Sequence, residues 1–267
     1  MSWLDAVLLG LVEGITEFLP ISSTGHLILT RSLLELTGEA VDRHLIVIQG
    51  AAILAVCWEY RVRLWQTLVS LRERRAQVFA LNVFLAFLPL AVFGLLFEHQ
   101  IEAVLFAPIP VALALIIGGL VILWAERRKH VVSMPEVDDL RPLGAVKVGL
   151  VQALALIPGT SRSAASIIGG LFIGMSRRAA TEFSFFVAIP TLLAATAYKL
   201  WEARDTLSLA EIEPLVLSSI VAFVSALLSI RFLLRFVSQH SFAVFAWYRI
   251  AFGAVVLATW ALGWVAW

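Results

Sequence analysis

The amino-acid sequence predicts an all-α polytopic membrane protein built as an inverted-topology repeat, with six transmembrane helices and two re-entrant helical hairpins. Three observations predict this fold: the composition, the spacing of the apolar segments, and a pattern that occurs once in each half. Of the 267 residues, 61% are hydrophobic and 15% are charged, whereas soluble domains are usually about 45–50% apolar and about 25% charged. Because so few charges cannot cover a water-facing surface, lipid is the expected solvent for most of the chain.

Charge and cysteine content exclude other kinds of protein. The net charge is +1, from 20 Lys and Arg against 19 Asp and Glu, so the charge balance gives no reason to expect a nucleic-acid partner. The single cysteine, Cys57, permits neither an internal disulfide nor a cysteine-based metal site. With a mean hydropathy of +0.93, the chain is expected to have membrane lipids as its surroundings.

Six apolar segments are candidates for crossing the membrane, which takes about 20 mostly apolar residues in a helix. They lie at 44–58, 78–97, 103–125, 181–198, 214–230 and 241–267. The first is short, so it must be tilted or extended by flanking residues.

Two further apolar stretches, 3–30 and 144–176, are broken near their middles by Pro20 and Pro158. Each is too interrupted for one helix and too short for two crossings. We therefore expect two re-entrant hairpins. A membrane tolerates such irregular backbone only where it is buried in protein or lines a polar cavity.

The charges of the connecting segments predict the orientation. Basic residues predominate at 61–77, 126–141 and 231–240, whereas 98–102 and 199–213 are net acidic. Because positively charged loops stay in the cytoplasm, the first group is predicted to be cytoplasmic and the second external. The first hairpin then starts and ends outside, and the second starts and ends inside.

A short pattern occurs once in each half. GLVE at 10–13 leads to Pro20, and GLVQ at 149–152 leads to Pro158, with a spacing that differs by one residue. Each half is therefore predicted to be a hairpin followed by three spans, and an odd number of spans places the halves in opposite orientations. The alternative is a chance similarity between two apolar segments rich in glycine and proline.

The predicted organisation is a single membrane domain over 1–267. The first inverted repeat covers 1–125, a cytoplasmic loop covers 126–143, and the second repeat covers 144–267. In folds of this kind the site forms where the broken helices meet, so the two hairpins are expected to carry it.

Two glutamates precede the first proline. Glu13 and Glu17 are four residues apart, so a helix places both carboxylates on one face. Carboxylates inside a membrane are costly and usually functional, and two of them repel unless a cation lies between them or one is protonated. Mg²⁺ or Ca²⁺ suits such oxygen ligands. The alternative is a packing glutamate paired with an arginine elsewhere.

The residues after Pro20 combine hydroxyls with a histidine. Ser22 or Ser23 is predicted to cap the next helix, whose N-terminal N–H groups are suited to a phosphate. Ser23 and His26 are three residues apart and share a helix face. A lone histidine in an apolar stretch is more often a packing residue, but His26 is accompanied by two carboxylates and a hydroxyl.

The second hairpin contains PGTSRS at 158–163. Backbone donors, hydroxyls and the planar Arg162 guanidinium together make a suitable oxyanion site, and Ser166, four residues on, is predicted to face the same cavity. Glu182 and Arg249 lie at or just inside span boundaries. We assign them to pairing with neighbours or lipid headgroups, outside the predicted site.

The stretch GLVEGITEFLPISSTGHL at 10–27 resembles the first signature of the bacterial undecaprenyl-diphosphate phosphatases, the bacitracin-resistance protein family. PGTSRS at 158–163 resembles the second signature. EFSF at 182–185 and FAWYR at 245–249 match as well. The resemblance covers essentially the whole chain.

The resemblance implies a metal-dependent membrane phosphatase that converts undecaprenyl diphosphate to undecaprenyl phosphate, the lipid carrier of peptidoglycan synthesis. It also implies bacitracin resistance and a site at the outer face of the bacterial inner membrane. Carried over, the metal ligands are Glu13 and Glu17, and the catalytic residues are Glu17, Ser23, His26 and Arg162. With neighbouring hydroxyls and backbone donors, the substrate-binding set is Ser22, Thr24, Gly159, Thr160, Ser161, Ser163 and Ser166. The family commonly has threonine where Ser166 stands, so a hydroxyl is retained.

Several alternatives stay open at the level of sequence. His26 is either the nucleophile or the base for Ser23. A transporter or lipid flippase is the competing function, because an inverted repeat with broken helices also suits a carrier. The preferred metal, the lipid length, movement of the product across the bilayer and the oligomeric state, a homodimer included, are not decided.

Overall fold

The structure is a computed structural model that describes residues 1–128, 131–204 and 209–264. Within these ranges the regular elements are helical, apart from one isolated β-bridge between Met134 and Met175. Three parts of the predictions lie outside the described residues: Lys129 and His130 of the connecting loop, residues 205–208 of the predicted external loop, and the last three residues, 265–267, of the sixth span.

The described residues form eleven α-helices. They are α1 (Trp3–Thr16), α2 (Ser23–Leu33), α3 (Glu39–Glu59), α4 (Arg61–Val69), α5 (Arg74–Leu105), α6 (Pro108–Arg127), α7 (Pro142–Gln152), α8 (Arg162–Phe172), α9 (Arg177–Ala203), α10 (Leu209–Val237) and α11 (Ala243–Ala261). Short 3-10 helices occur at Val137–Asp139 and Ala153–Leu156.

Six of these helices, within the described ranges, contain segments long and apolar enough to cross a membrane. The segments are Glu39–Glu59, Arg74–Phe97, Pro108–Arg127, Arg177–Glu202, Ile212–Val237 and Ala243–Ala261. The prediction of an all-α membrane protein with six spans is therefore confirmed. The span predicted at 44–58 gains its length from flanking residues, since α3 has 21 residues.

The segment 98–102, which the sequence predicted as a loop, is helical, although the second span ends at Phe97 as predicted. Helix α5 continues to Leu105 because no proline or glycine interrupts it there. Pro108 then starts α6, where its missing N–H leaves no helical bond unmade. Ala107 is extended, with φ −134° and ψ 157°, as the residue before a proline usually is. The third span thus begins at 108 and not at 103.

Three other predicted loops are partly helical. The segment 61–77 contains α4 and the start of α5, and α10 continues through most of 231–240, to Val237. The predicted external loop 199–213 includes residues 205–208, which lie outside the described residues. Much of its remainder belongs to the ends of α9 and α10.

Two helix–break–helix units precede the two sets of long helices. Residues 17–22, the first break, separate α1 from α2, and residues 153–161, the second break, separate α7 from α8. Pro20 and Pro158 lie inside these breaks, as predicted. The four helices have 11 to 14 residues, and at about 1.5 Å per residue none reaches the roughly 30 Å of a bilayer core.

The two units share the same backbone turn. Ser22 and Ser161 each immediately precede the second helix of their unit, with φ values of 73° and 72°. They are 139 residues apart (161 − 22), the same separation as between the starts of α2 and α8, which both have 11 residues. The sequence pattern had aligned Pro20 with Pro158 across a one-residue gap. The backbone instead aligns Pro20 with Gly159 and needs no gap.

Each unit packs on a long helix of the other half. Helix α1 packs on α10 and α7 packs on α5, while α3 contacts α9 and α6 contacts α11. Small residues permit these close approaches. A Cβ added to Gly14 would lie 2.1 Å from Ser225 Oγ on α10, and one added to Gly149 would lie 2.6 Å from the Ala86 carbonyl on α5. The two breaks lie close together, since the guanidinium of one side chain, Arg249, contacts the Pro20 and the Gly159 carbonyls.

Candidate active site

The Glu17 carboxylate joins the two units. Its Oε2 accepts a hydrogen bond from Ser23 Oγ at 2.5 Å, and its Oε1 accepts one from Arg162 Nη2 at 3.3 Å. All three side chains are buried. Glu17 lies in the first break, Ser23 starts α2 and Arg162 starts α8. The structure therefore brings together three predicted site residues that are up to 145 residues apart in sequence.

Glu13 lies one helical turn before Glu17 and is fully buried. Neither of its carboxylate oxygens has a hydrogen-bond partner among the described residues. A buried carboxylate without a partner is costly, so it is either protonated or bound to a cation. In the described part of the chain, no three His, Cys, Asp or Glu side chains lie close enough together to hold a metal ion. Two carboxylates completed by water and phosphate oxygens are nevertheless a usual set for Mg²⁺, so Glu13 and Glu17 fit such an ion.

Arg162 also connects α8 with α9. Its Nη1 donates to the Ser184 carbonyl at 3.1 Å, while its Nε has no partner among the described residues. Ser166, one turn further along α8, donates to Ser184 Oγ at 2.6 Å. The contacts hold the guanidinium beside Glu17, and the Nε–H is among the donors that remain for an anion. Ser184 was not predicted as a site residue.

The hydroxyls of the second unit reach the first break. Ser163 Oγ donates to the Leu19 carbonyl at 2.8 Å, so the 3.0 Å contact between Ser161 Oγ and Ser163 Oγ has Ser161 as the donor. Ser161 Oγ also accepts from the Ala164 N–H at 3.2 Å and caps α8. The partly exposed Thr160 lies in the same break.

The predicted capping of α2 by Ser22 or Ser23 is wrong. Ser22 is the N-cap residue, but its side chain makes no capping bond, and Ser23 Oγ is held by Glu17. Ser23 is itself the first residue of α2 and not its N-cap, and its hydroxyl donates to Glu17 across the break. Thr24, next along α2, is only partly buried.

His26 contacts α11 through an aromatic stack. Its ring lies 4.1 Å from Phe252, centroid to centroid, and Nε2 lies 2.6 Å from Tyr248 Oη. Nδ1 lies 2.7 Å from the Ser22 carbonyl, which can only accept, so Nδ1 carries the proton. Nε2 of the neutral ring then accepts from Tyr248. No hydrogen bond between His26 and Ser23 occurs among the described residues.

Arg249 lies at the site and not at the membrane surface, contrary to the prediction. It is fully buried, and its guanidinium donates to four main-chain carbonyls, those of Leu115, Ala114, Pro20 and Gly159. One signal could have found it: Arg249 is the only charged residue between 241 and 264, just as Arg162 is the only charged residue between 148 and 176. Glu182 does pair with a neighbour, Arg178, at 3.0 Å.

The fold and the site define a class of protein. It is a multi-pass membrane protein whose two broken helical units enclose a buried site with carboxylates, hydroxyls and an arginine suited to a phosphate group. The chain belongs to the bacitracin resistance protein BacA family, whose model matches residues 6–255.

Curated relatives match along their whole length. The chain is 58% identical over 271 residues to an undecaprenyl-diphosphatase of Nitrosospira multiformis, covering 100% of this chain and 99% of the relative. It is 56% identical over 265 residues to the undecaprenyl-diphosphatase of Dechloromonas aromatica, with coverages of 99% and 97%. It is 59% identical over 264 residues to undecaprenyl-diphosphatase 1 of Chromobacterium violaceum, with 98% of both chains covered.

Proposed function

We propose that this chain is a membrane phosphatase that hydrolyses undecaprenyl diphosphate to undecaprenyl phosphate and inorganic phosphate. It thereby recycles the lipid carrier for peptidoglycan synthesis and confers bacitracin resistance. Family membership and the full-length relatives named for this reaction support the proposal. The structural observation that supports the proposal is the contact of Glu17 with both Ser23 and Arg162. It places a hydroxyl, a candidate base for that hydroxyl and an anion-binding group together.

The geometry favours Ser23 as the nucleophile and Glu17 as its base. Ser23 Oγ attacks the terminal phosphorus and its proton passes to Glu17 Oε2. The bond from phosphorus to the bridging oxygen breaks, and undecaprenyl phosphate leaves. Water then attacks the phosphoserine, the bond from phosphorus to Ser23 Oγ breaks, and Glu17 returns its proton to Ser23 Oγ while it takes up the proton that the water loses. Inorganic phosphate is released. Arg162 binds the non-bridging oxygens throughout.

The alternative nucleophile is His26. Its Nε2 is occupied by the Tyr248 hydroxyl, so the ring or the tyrosine must move before Nε2 attacks phosphorus. A role for His26 as the base of Ser23 has no hydrogen bond to support it among the described residues. We therefore assign His26 to the wall of the site beside the substrate, with the Ser22 carbonyl fixing its tautomer.

Glu13 and Glu17 are the proposed ligands of a divalent cation, Mg²⁺ or Ca²⁺. The unpartnered, buried Glu13 carboxylate supports this assignment. When bound, the cation would neutralise charge on the diphosphate. The proposed binding set for the phosphates is Ser22, Thr24, Gly159, Thr160, Ser161, Ser163 and Ser166.

The proposed arrangement in the membrane is an inverted repeat with two re-entrant units. Three features support it: the short helices of both units, their shared backbone turn, and the packing of each unit on the other half. The site is proposed to open to the extracytoplasmic side of the bacterial inner membrane, with the prenyl chain in lipid. A homodimer stays a prediction from the sequence.

Phosphate release in detergent tests the proposed function. Purified protein, with no membrane gradient, is expected to release phosphate from a prenyl diphosphate when Mg²⁺ or Ca²⁺ is supplied. Arg162→Ala and Ser23→Ala are expected to abolish release, whereas Arg178→Ala, a surface arginine paired with Glu182, retains it. No release by the wild type would contradict the phosphatase and favour the transporter or flippase.

Trapping phosphate on the protein distinguishes the two nucleophiles. An acid-stable adduct that is lost in Ser23→Ala supports the serine route. An acid-labile adduct that is lost in His26→Ala contradicts it and supports attack by His26.

A further inference from the structure

Arg249 makes the same contact with both breaks. Its Nη1 donates to the Pro20 carbonyl at 3.3 Å, and its Nη2 donates to the Gly159 carbonyl at 2.9 Å. These two positions are equivalent, because the backbone match of the units aligns Pro20 with Gly159. One planar side chain from α11 therefore spans the junction between the two breaks.

The contacts satisfy backbone groups that the breaks leave without helical partners. At membrane depth no bulk water is available to them, and each unsatisfied carbonyl is costly. Arginine carries five N–H donors in a fixed plane, which suits several acceptors at once. No carboxylate lies within ion-pair distance of Arg249 among the described residues, so carbonyl dipoles alone stabilise its charge.

Helix α6 leaves space for this guanidinium and also binds it. A Cβ added to Gly118 on α6 would lie 2.1 Å from Arg249 Nη2 and 2.9 Å from its Cζ. The remaining two contacts of the guanidinium, to the Ala114 and Leu115 carbonyls, also go to α6. The glycine thus makes room for the side chain, and α6 fixes its position from the other side.

We propose that Arg249 is a positioning residue for the reaction: by binding both breaks it sets the distance between Ser23 and Glu17 on one side and Arg162 on the other. The proposal rests on the proposed function. It assigns Arg249 no contact with substrate, because carbonyls of the chain occupy its donors. A displacement of about 1 Å between reacting groups lowers a rate by about 100-fold, so loss of this contact is expected to lower kcat.

Three variants test the proposal. Arg249→Met removes the donors. Arg249→Lys keeps the charge but cannot span two carbonyls as a planar group. Gly118→Ala leaves Arg249 in place and pushes its guanidinium aside. The matched controls are Arg231→Met, which removes an arginine paired with Glu59, and Gly94→Ala, whose Cβ would meet only Leu156 Cδ2 at 3.6 Å.

Hydrogen–deuterium exchange and steady-state kinetics are measured on the intact protein in detergent. Arg249→Lys and Gly118→Ala are expected to raise exchange in peptides of both breaks, and not at the α3–α9 contact. The same variants are expected to lower kcat by about 10- to 100-fold, with KM changed less than threefold. The controls should match the wild type in both measurements.

Each other outcome contradicts the proposal. Full kcat in Arg249→Lys would mean that only the charge matters. A rise in KM with kcat unchanged would make Arg249 a substrate-binding group. Faster exchange throughout the protein, with kcat per folded molecule unchanged, would make it a stability residue only. If Arg249→Met does not fold, the other two variants decide. The exchange arm needs no substrate, so failure of the phosphatase assay and failure of the Arg249 contact are distinguishable.

Discussion

The two breaks have the same backbone turn but carry different polar side chains. Ser22 and Ser161 turn the chain with nearly the same φ, and each is followed by a helix of 11 residues. The first unit supplies carboxylates, a hydroxyl and an imidazole, whereas the second supplies a guanidinium and further hydroxyls. Neither unit holds a complete site. The repeated fold provides two equivalent helix starts, one of which carries the proposed nucleophile and the other the proposed anion-binding group.

Aligning the two units position by position shows which residues differ between them. In the alignment set by the backbone, Glu13 corresponds to Gln152, Glu17 to Leu156, and Ser23 to Arg162. Each acidic residue of the first unit has an uncharged counterpart. A substitution in one unit therefore has a natural comparison in the other.

The largest effect is expected where the units meet, at the pair Glu17 and Arg162. Glu17→Gln and Arg162→Met are each expected to lower kcat by about 10³-fold, because the first removes the proposed base of Ser23 and the second removes the proposed phosphate-binding group. The double variant should be little worse than either single variant, since residues that act as a unit are not additive. Steady-state phosphate release measures all three.

The control for this pair is the surface pair Arg178 and Glu182. Arg178→Met and Glu182→Gln should leave kcat within about twofold, as exposed ion pairs contribute little. If the loss of kcat in the double variant equals the product of the losses in Glu17→Gln and Arg162→Met, the two units act separately.

A smaller effect is expected from replacing Glu13 by glutamine, the residue at the equivalent position 152 of the second unit. Glu13→Gln keeps the size of the side chain and removes the charge, so it should lower activity by about 100-fold and raise the Mg²⁺ concentration needed for half-maximal rate. Gln152→Leu should change kcat less than about threefold. Gln152 Oε1 has no partner in the described structure and Nε2 has only a 3.4 Å contact with the Ala86 carbonyl, so little is lost.

Rates measured over a Mg²⁺ titration compare these two variants. Equal losses in Glu13→Gln and Gln152→Leu would contradict the division between the units. An unchanged Mg²⁺ dependence in Glu13→Gln would remove Glu13 from the proposed cation site.

The sequence could predict those parts of the molecule that have local signals. Six spans follow from the length of apolar segments, and two breaks follow from prolines inside such segments. Glu13, Glu17 and Arg162 stand out because a charge inside an apolar segment is costly and needs a reason. These predictions required no knowledge of which helices contact each other.

Features that depend on tertiary contacts could not be predicted. The hydrogen bond of His26 joins it to Tyr248, 222 residues away, and Arg249 meets the Pro20 carbonyl across 229 residues. Arg249 carried the same local signal as Arg162, but its position near a span boundary was equally consistent with headgroup pairing. The end of α5 was misplaced because charged residues at 98–102 indicate a loop, although they do not themselves stop a helix.

The two N-cap serines differ in a way that stability can measure. Ser161→Ala is expected to lower the free energy of unfolding by about 1 kcal/mol, because its hydroxyl caps α8. Ser22→Ala should change it by a few tenths of a kcal/mol at most, since Ser22 makes no capping bond. Thermal unfolding in detergent gives both values. Ser176→Ala, which removes the cap of α9, serves as the reference for a lost cap, and equal effects at 22 and 161 would contradict the difference.

The smallest effect is expected outside the site, where Asp138 of the segment between the halves pairs with Arg63 and Arg75 of the first half. Partial burial raises the pKa of the Asp138 carboxyl, but the hydrogen bonds from both guanidinium groups outweigh burial and hold the pKa below its usual value. A carboxyl with a lowered pKa in the folded state stabilises the protein above the unfolded pKa, and this contribution is lost as the pH falls through the folded value.

Asp138→Asn is therefore expected to lower the free energy of unfolding by about 0.5–1 kcal/mol at pH 7, a small value because Arg75 is largely exposed and Arg63 is partly exposed. The difference from wild type should shrink as the pH falls below about 4. Thermal unfolding between these pH values measures it, with the exposed Glu39→Gln as a control that should show no change. Phosphate release by Asp138→Asn should match the wild type. The proposed reacting groups lie at the contact of Glu17 with Arg162, whereas Asp138 only attaches the connecting segment to arginines of the first half. A loss of activity without a loss of stability would show that the connecting segment also sets the geometry of the breaks.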